Sequence, residues 1–262
     1  MSLSGWHRRC AVAVWMALGL LVAAQAAEPP QPFVFVHTSD PELGKPDLKG
    51  TSERFAQLAQ RANQIGAAFV IVSGDLTRNC TTEQLKAFDD ILKQFKMPVR
   101  LLPGNHDEPE VYEKHFGKDH YVFTHGNCDF ICLNSNLLLT PSDKTKEQWT
   151  WLEAALKEAR RQNRAHIFVV MHHPLAGLAK MNDLLVKYGV EAVLCGHEHT
   201  TQELPEKGYT VYVTPGTCKF RDKNGLGYRV FRVSKERIQQ EFVPLEKDLA
   251  DVELLRVAAE RR

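Results

Sequence analysis

The feature that most constrains the fold of this chain is a regular alternation of short apolar runs with amphipathic segments. Three apolar runs, FVFVHT (33–38), AFVIVS (68–73) and PVRLL (98–102), are separated by stretches of helical periodicity at 51–66 and 81–95. Apolar runs of this length are typical of buried strands, and each gap between them is long enough for one helix. The order β-α-β-α-β predicts a largely parallel sheet covered by helices.

The second half of the chain repeats this alternation and then changes character. It predicts a hairpin, two helices and two buried strands, in the order 120–125, 129–134, 145–163, 166–171, 180–189 and 191–195. The later segments alternate polar and apolar residues as antiparallel strands do, at 208–214, 227–234 and 237–244, before a charged helix predicted from about Glu246. Two strand-rich halves, each layered by helices, predict a sandwich with the helices outside.

The N-terminus has the layout of a cleavable secretory signal. Arg8 and Arg9 precede an apolar run from Cys10 to Ala24, and small residues follow it. The run has 15 residues, fewer than the roughly 20 that a membrane-spanning helix needs. We therefore expect cleavage after Ala26 and an exported protein, either periplasmic or extracellular. The remaining residues, 27–262, are long enough for one large α/β domain and contain no linker, with the motifs in 33–220 and the last strands and helix in 221–262.

Charge and cysteine content exclude several functional classes. Without Arg8 and Arg9, 31 basic residues face 32 acidic ones, a net charge of −1, which gives no charge reason to bind nucleic acid or an anionic membrane. We expect no specific nucleic-acid binding and, after signal cleavage, no stable membrane span. Five cysteines remain, Cys80, Cys128, Cys132, Cys195 and Cys218. An odd number leaves at least one without a partner in the chain, and their spacing matches no CxxC zinc site. Cys132 and Cys195 lie in apolar runs and are predicted to be buried as small apolar residues.

Five polar clusters each follow directly after a predicted strand. They are SDPE (39–42), SGDLT (73–77), PGNHDE (103–108), HHP (172–174) and GHEH (196–199). Because the carboxyl ends of strands in an open α/β sheet share one edge, we expect the clusters to converge. Each one alone has an ordinary explanation, such as a turn closed by Asp75. Together their Asp, Glu, Asn and His side chains suit a pair of divalent ions such as Mn, Fe, Zn or Mg.

These motifs resemble those of the calcineurin-like metallophosphoesterases over about residues 33–220. The matching segments are Asp40-x-Glu42, Gly74-Asp75, Gly104-Asn105-His106-Asp107, His172-His173-Pro174 and Gly196-His197-x-His199. The first motif departs from the family, which has Asp-x-His where this chain has Asp40-Pro41-Glu42. The resemblance implies a four-layer α-β-β-α sandwich and a dinuclear metal centre. One ion is expected on Asp40, Glu42 and His199, the other on Asn105, His172 and His197, with Asp75 bridging them.

The resemblance also implies the roles of the remaining site residues. A hydroxide shared by two ions about 3.5–4 Å apart is the expected nucleophile, and His106 is expected to contact the phosphate and protonate the leaving oxygen. Asp107 is predicted either to orient the His106 imidazole or to close its loop as an Asx-turn. His173 is placed behind the ligands or facing the phosphate. His37, three residues before Asp40, is predicted to face the opposite side of its strand and to lie outside the metal centre.

The sequence therefore predicts a secreted metal-dependent hydrolase of phosphate esters, a phosphodiesterase or broad phosphoesterase on small substrates. One alternative is a phosphomonoesterase similar to Ser/Thr phosphatases, acting on small molecules or phosphoproteins, since some family members carry Asp-Pro-Gln in the first motif. A second alternative is a catalytically inactive metal-binding interaction protein, because Glu42 in place of histidine changes one ion position. His106 and Asp107 favour an enzyme, since metal binding alone does not require them.

Overall fold

The computed structural model of this chain describes residues 31–175, 178–252 and 254–255. In this part of the chain, eleven strands form two sheets, and α-helices cover the outer face of each. The predicted four-layer α-β-β-α sandwich is confirmed. The signal predicted at 1–26 lies outside the described residues. Among the helices that are described, none has both the length and the apolar character that crossing a membrane requires.

The first sheet is built on the β-α-β-α-β segment. Its strands stand in the order β11-β10-β1-β2-β3, with bounds β1 Phe33–Thr38, β2 Val70–Ser73, β3 Val99–Leu102, β10 Gly227–Val233 and β11 Ile238–Pro244. The first three strands are parallel, as predicted, and β10 pairs antiparallel with both of its neighbours. The carboxyl ends of β1, β2 and β3 therefore lie along one edge.

Two helices cover the outer face of this sheet, α1 (Leu48–Ile65) and α2 (Thr82–Leu92). α1 begins three residues before the predicted start because Asp47 caps it, accepting a hydrogen bond from the Gly50 amide at 2.6 Å. It ends at Gly66, whose φ of 67° is the left-handed conformation that terminates many helices. Thr81 caps α2 in the same way as Asp47 caps α1.

The second sheet has the order β4-β5-β6-β7-β9-β8. Its strands are β4 Tyr121–His125, β5 Cys128–Cys132, β6 His166–Val170, β7 Ala192–Cys195, β8 Gln202–Pro205 and β9 Thr210–Val213. The predicted hairpin is β4 and β5. The segment 208–214, predicted to be an antiparallel strand, contains β9. This strand pairs antiparallel with β8 but parallel with β7, so the prediction is half right. The outer face is covered by α4 (Asp143–Arg161) and α5 (Ala179–Lys187).

Three elements differ from the sequence prediction. α3 (Pro109–Phe116) and the exposed edge strand β8 were not predicted. Where a charged helix is predicted from about Glu246, the structure first has a turn and a short 3-10 helix at Leu249–Asp251. Residues 254 and 255 are helical, and residues 253 and 256–262 lie outside the described part of the chain.

An aromatic layer joins the two sheets. Phe35 stacks on Phe69 and Phe231 in its own sheet, with ring centroids 5.0 and 4.8 Å apart, and meets Phe130 and Phe168 of the other sheet edge-on. All five rings are buried. Offset and edge-to-face contacts of this kind stabilise beyond the area they bury. The two sheets are thus held at a fixed separation, which fixes the relative positions of the loops at their ends.

The described cysteines form no disulfide with one another. Cys132 and Cys195 are fully buried in apolar surroundings, as predicted. Burial raises the pKa of both thiols, so these two side chains act as small apolar residues.

Candidate metal centre

The loops that follow five strands meet at one place between the two sheets. Asp40 and Glu42 follow β1, Asp75 follows β2, Asn105 follows β3, His172 follows β6, and His197 and His199 follow β7. Backbone hydrogen bonds join the first two loops, from the Asp40 amide to the Gly74 carbonyl at 3.0 Å and from the Glu42 amide to the Asp75 carbonyl at 2.8 Å. The His197 amide donates to Asp40 Oδ2 at 3.0 Å and joins the loops of the two sheets.

Backbone conformations that are rare for side-chain-bearing residues concentrate here. Among the described residues, seven non-glycine residues have positive φ, and five of these are predicted metal ligands: Asp40, Glu42, Asp75, His197 and His199. This left-handed region is unfavourable for residues with a Cβ and persists only where surrounding contacts enforce it. Its concentration at one site indicates that the loops are shaped to direct these side chains inward.

Two glycines allow the loops to approach this closely. A Cβ on Gly74, whose φ is 102°, would lie 2.5 Å from His172 Nδ1, and one on Gly104 would collide with the Asp75 carboxylate. A residue with a side chain at either of these positions of the GD and GNHD motifs would therefore collide with a predicted ligand in a neighbouring loop.

Four side chains converge on what we call the second position. Asn105 Oδ1 lies 3.1 Å from His172 Nε2 and 2.9 Å from His197 Nδ1. Asp75 Oδ2 lies 3.4 Å from His172 Nε2. The Ser73 carbonyl lies 2.8 Å from His172 Nδ1, so Nδ1 donates to it and Nε2 is the nitrogen that can ligate once its own proton has left. The donor set of one carboxylate, one amide oxygen and two imidazoles fits a divalent ion.

The electrostatics of this cluster match that fit. Burial lowers the pKa of His172, but the charges of Asp40 and Asp75 more than offset it and raise the pKa to about 9. Burial raises the pKa of Asp75, yet hydrogen bonding and charge from His172 hold it at about 2. A proton on His172 thus supplies the positive charge that a metal ion would bring to the two carboxylates.

Asp40 and His199 mark what we call the first position. Asp40 Oδ1 lies 3.9 Å from His199 Nε2, and Asp40 is fully buried. Asp40 Oδ1 and His199 Nδ1 are buried and make no hydrogen bond to any described residue. Burial raises the pKa of Asp40 to about 7 and lowers that of His199. Buried polar atoms without partners are costly, and a cation at this position would satisfy the carboxylate.

Glu42 lies beside this position, but other side chains bind both of its oxygens. Oε1 accepts from Lys45 Nζ at 2.8 Å and from Arg78 Nη1 at 2.9 Å. Oε2 accepts from the thiol of Cys218 at 3.0 Å. The structure brings Glu42 to the cluster as predicted, and surrounds it with two cations and a thiol.

His106 lies at the mouth of the site, with 28 % of its side chain exposed. Its Nε2 lies 3.3 Å from Glu42 Oε1 and 4.0 Å from Asp75 Oδ2. Arg78 Nη1 lies 2.6 Å from the same nitrogen. His106 therefore adjoins both the ligand cluster and solvent.

Of the two roles predicted for Asp107, its hydrogen bonds fit closure of the loop and not orientation of the His106 imidazole. Its carboxylate instead accepts hydrogen bonds from three backbone amides, those of Gly104 at 2.8 Å, Leu76 at 3.0 Å and Thr77 at 3.3 Å. The Gly104 contact closes the GNHD loop, and the other two bind that loop to the GDLT loop. Asp107 positions the backbone of both motifs because buried amides need acceptors there.

The other two predicted histidines have separate partners. His173 Nδ1 lies 3.1 Å from Ser135 Oγ, and its ring centroid is 4.2 Å from that of His197. One ring nitrogen of His173 lies within 4.8 Å of ligand atoms of His172 and His197. His37 is fully buried, with Nε2 2.9 Å from Ser73 Oγ and Nδ1 3.0 Å from Thr214 Oγ1. It makes no contact with the cluster in this structure.

Sequence reasoning missed three residues of the site, Lys45, Arg78 and Cys218. Arg78 lies three residues beyond Asp75, directly after the motif segment that was recognised. Its position gave a weak signal, since an arginine next to a carboxylate loop suits an anionic substrate or partner. Lys45 lies only three residues from Glu42, so its contact is local. Cys218 reaches Glu42 through a tertiary contact that no local pattern encodes.

Comparison with known proteins gives consistent results. A family model described as calcineurin-like phosphoesterase matches residues 33–201. A probable cyclic nucleotide phosphodiesterase of Vesicomyosocius okutanii is 24% identical, over 67% of this chain and 81% of that protein. A 3',5'-cyclic adenosine monophosphate phosphodiesterase of Escherichia coli is 28% identical, over 61% of this chain and 64% of its own length.

The fold also matches a solved structure. Purple acid phosphatase from yellow lupin (Lupinus luteus) seeds superposes with a TM-score of 0.69 at 14% identity, covering 83% of this chain and 52% of that one. At this identity the likeness concerns the fold.

Proposed function

This chain belongs to the calcineurin-like phosphoesterase family, and from that premise we propose that it is a metal-dependent phosphodiesterase acting on small substrates. The family membership makes it a metallophosphoesterase. The preference for a diester rests on the relatives, two of which are named as cyclic nucleotide phosphodiesterases.

The observation that carries the proposal is the convergence of ligand atoms at the ends of strands from both sheets. Asn105 Oδ1 lies 3.1 Å from His172 Nε2 and 2.9 Å from His197 Nδ1, and Asp75 Oδ2 lies 3.4 Å from the same His172 nitrogen. Asp40 and His199 stand beside this cluster with atoms that make no hydrogen bond to the described residues. Such a set of hard and borderline donors supports two divalent ions, whose identity we leave among Mn, Fe, Zn and Mg.

In this proposal Asp75, Asn105, His172 and His197 would hold one ion, and Asp40, His199 and Asp75 would hold the other. When bound, the ions would supply a nucleophile derived from water and positive charge to offset that of the phosphate. The Ser73 carbonyl keeps the His172 imidazole in the tautomer that can ligate. The Asp107 carboxylate fixes the two loops that carry Asp75 and Asn105.

His106 is the proposed general acid. It is exposed at the mouth of the site, and its backbone amide donates to Asp75 Oδ1 at 2.9 Å, which fixes its position relative to the ligands. From there its imidazole can deliver a proton to the oxygen that leaves the phosphorus. Neighbouring Arg78 adds positive charge for the phosphate oxygens.

The test is hydrolysis by the purified protein of p-nitrophenyl phosphate, its bis ester and 3',5'-cyclic AMP, with Mn²⁺ added and with chelator. We expect turnover of the bis ester that requires the metal and exceeds turnover of the monoester. A higher rate on the monoester would replace the diesterase with the phosphomonoesterase. Absence of turnover on every ester with every divalent metal would leave a metal-binding protein.

We also propose that the enzyme is exported, on the support of Arg8, Arg9 and the apolar run that follows them. Expression of the full chain followed by cell fractionation tests this. The exported form is expected to begin at Ala27. Recovery of an uncleaved chain from the cytoplasmic fraction would contradict the proposal.

A further inference from the structure

The partners of Glu42 set this chain apart from its family motif. Glu42 has no exposed surface. Three nitrogens surround its Oε1, those of Lys45 at 2.8 Å, Arg78 at 2.9 Å and His106 at 3.3 Å. The Cys218 thiol donates to Oε2 at 3.0 Å. A carboxylate with both oxygens engaged in this way has little capacity left for a metal ion.

Two of these partners, Lys45 and Arg78, would also repel a metal ion at the first position directly. Lys45 and Arg78 both carry a positive charge within 3 Å of Glu42 Oε1. Both side chains are about one third exposed, and at the effective dielectric of such a partly exposed site their charges oppose the entry of a divalent cation. They also neutralise Glu42, which would otherwise attract the ion.

The two ion positions are therefore unequal. The second position has four converging ligand side chains and the Ser73 carbonyl to fix one of them. The first position keeps only Asp40, His199 and a share of Asp75, because Glu42 is held by other groups. Fewer ligands and opposing charge both weaken metal binding.

We propose that Lys45, Arg78 and Cys218 withhold Glu42 from the first position, so that the chain binds one divalent ion tightly and recruits the second only at higher metal concentration. This inference rests on the proposed function, since it concerns the same metal centre. Glu42 stands where the family has a histidine ligand. Lys45, Arg78 and Cys218 bind its carboxylate, so that it does not ligate the ion. The consequence is an enzyme purified with one ion and activated by added metal.

The primary test is the metal content of the wild-type protein. Protein stripped with chelator is reloaded with Mn²⁺, passed through a desalting column and analysed by mass spectrometry for metal, and a parallel sample is titrated by calorimetry. We expect about one ion to be retained per chain and a second to bind with a Kd at least ~10-fold higher. Two ions retained with similar Kd values would overturn the inference.

A double variant, Lys45→Met with Arg78→Met, tests the cause. Releasing Glu42 and removing both charges should lower the Kd of the second ion by about 10-fold or more, the range typical of groups that act on a ligand. Adding Glu42→Gln to this double variant should cancel the gain. An unchanged second Kd in the double variant would show that Lys45 and Arg78 do not weaken the position.

Two controls keep these variants interpretable. Lys146→Met removes a charge at a side chain that is 82% exposed, and it should leave both Kd values unchanged. Retention of the tightly bound ion reports that a variant has folded. If the double variant loses that ion, the single variant Arg78→Gln replaces it, and the same decrease in the second Kd is required.

Failure of the inference is distinguishable from failure of the proposed function. Hydrolysis of bis(p-nitrophenyl) phosphate is measured at Mn²⁺ concentrations above both Kd values. Two tightly bound ions with turnover would refute the inference and leave the function standing. One tight and one weak ion without turnover of any ester would refute the function and leave the inference standing.

Discussion

The histidines around the centre differ in their capacity to bind metal because their ring nitrogens have different partners. The Ser73 carbonyl occupies Nδ1 of His172 and leaves Nε2 facing Asn105. Hydroxyl groups occupy both nitrogens of His37, and burial lowers the pKa of His37 to about 3, so it stays neutral. The partner of the second nitrogen therefore decides which imidazole can ligate.

The separation of binding from proton transfer can be tested with neighbouring residues of one loop. Asn105→Ala should release the tightly bound ion, because Asn105 Oδ1 lies at the centre of the second position. His106→Ala should keep the metal content near that of the wild type while lowering kcat on the bis ester by about 10²–10⁴-fold, the range for a general acid. Metal analysis and kinetics on the same preparations measure both. Loss of metal in His106→Ala would make His106 a ligand.

The raised pKa of His172 predicts how metal binding depends on pH. Nearby carboxylates raise this pKa to about 9 in the metal-free protein, so the imidazole is protonated at neutral pH. A metal ion can bind only when that proton leaves. The apparent affinity of the second position should therefore rise between pH 6 and pH 9, by up to about tenfold per pH unit for one displaced proton. Calorimetry in buffers of different ionisation enthalpy counts the released protons, and a pH-independent Kd would contradict the assignment.

At this scale the sequence predicted residues that lie in motifs and missed three outside them, of which Arg78 and Cys218 act through tertiary contacts. Asp75, Asn105 and His172 were found because each directly follows an apolar strand. Nothing in the local sequence shows that Lys45 and Arg78 meet on one oxygen of Glu42. For Asp107 the sequence offered loop closure or orientation of His106, and its bond to the Gly104 amide fits loop closure. Its bonds to Leu76 and Thr77 lie in a second loop, which no local pattern indicates.

At the scale of elements, prediction succeeded where hydrophobic periodicity was long and failed where it was short. α1 and α4 have 18 and 19 residues, enough for an apolar face to repeat several times. α3 has eight residues and one buried side chain, Tyr112, so it has no repeating apolar face. The Glu108 cap and Pro109 at its first position are the signals of a helix start there. β8 is an exposed edge strand with no buried residue and a proline at its end.

Two loops of the site behave as one element because Asp107 joins them. Asp107→Ala would leave the buried amides of Leu76, Thr77 and Gly104 without their acceptor. We expect the free energy of unfolding to fall by about 2–4 kcal/mol, measured by urea unfolding of the metal-free protein. Asp107→Asn keeps one acceptor oxygen and should lose less.

The matched control for Asp107 is an exposed aspartate. Asp143→Ala removes a carboxylate whose side chain is 91% exposed and should change stability by about 0.5 kcal/mol or less. Equal losses in the two alanine variants would show that the tie between the loops does not stabilise the fold.

At the scale of the whole molecule, the metal centre spans the two sheets. Asp40, Asp75 and Asn105 extend from the first sheet, and His172 and His197 from the second. Without metal, the connections at this end include the Asp40–His197 contact and the bond between Asn136 and the Gly104 carbonyl. A bound ion would add ligand bonds from both sheets at once.

Metal should therefore stabilise the molecule as a whole and not one loop. An ion that binds only the folded chain adds about 2.7 kcal/mol at a free concentration of 100 times its Kd, which corresponds to a Tm rise of about 5–10 °C at this size. Scanning calorimetry of chelated and Mn²⁺-loaded protein measures this, and the transition should stay single because both sheets share the ligands. Asn105→Ala should lose most of the rise, whereas His106→Ala should keep it. A second, metal-insensitive transition would show instead that each sheet unfolds separately and that the ion stabilises only one of them.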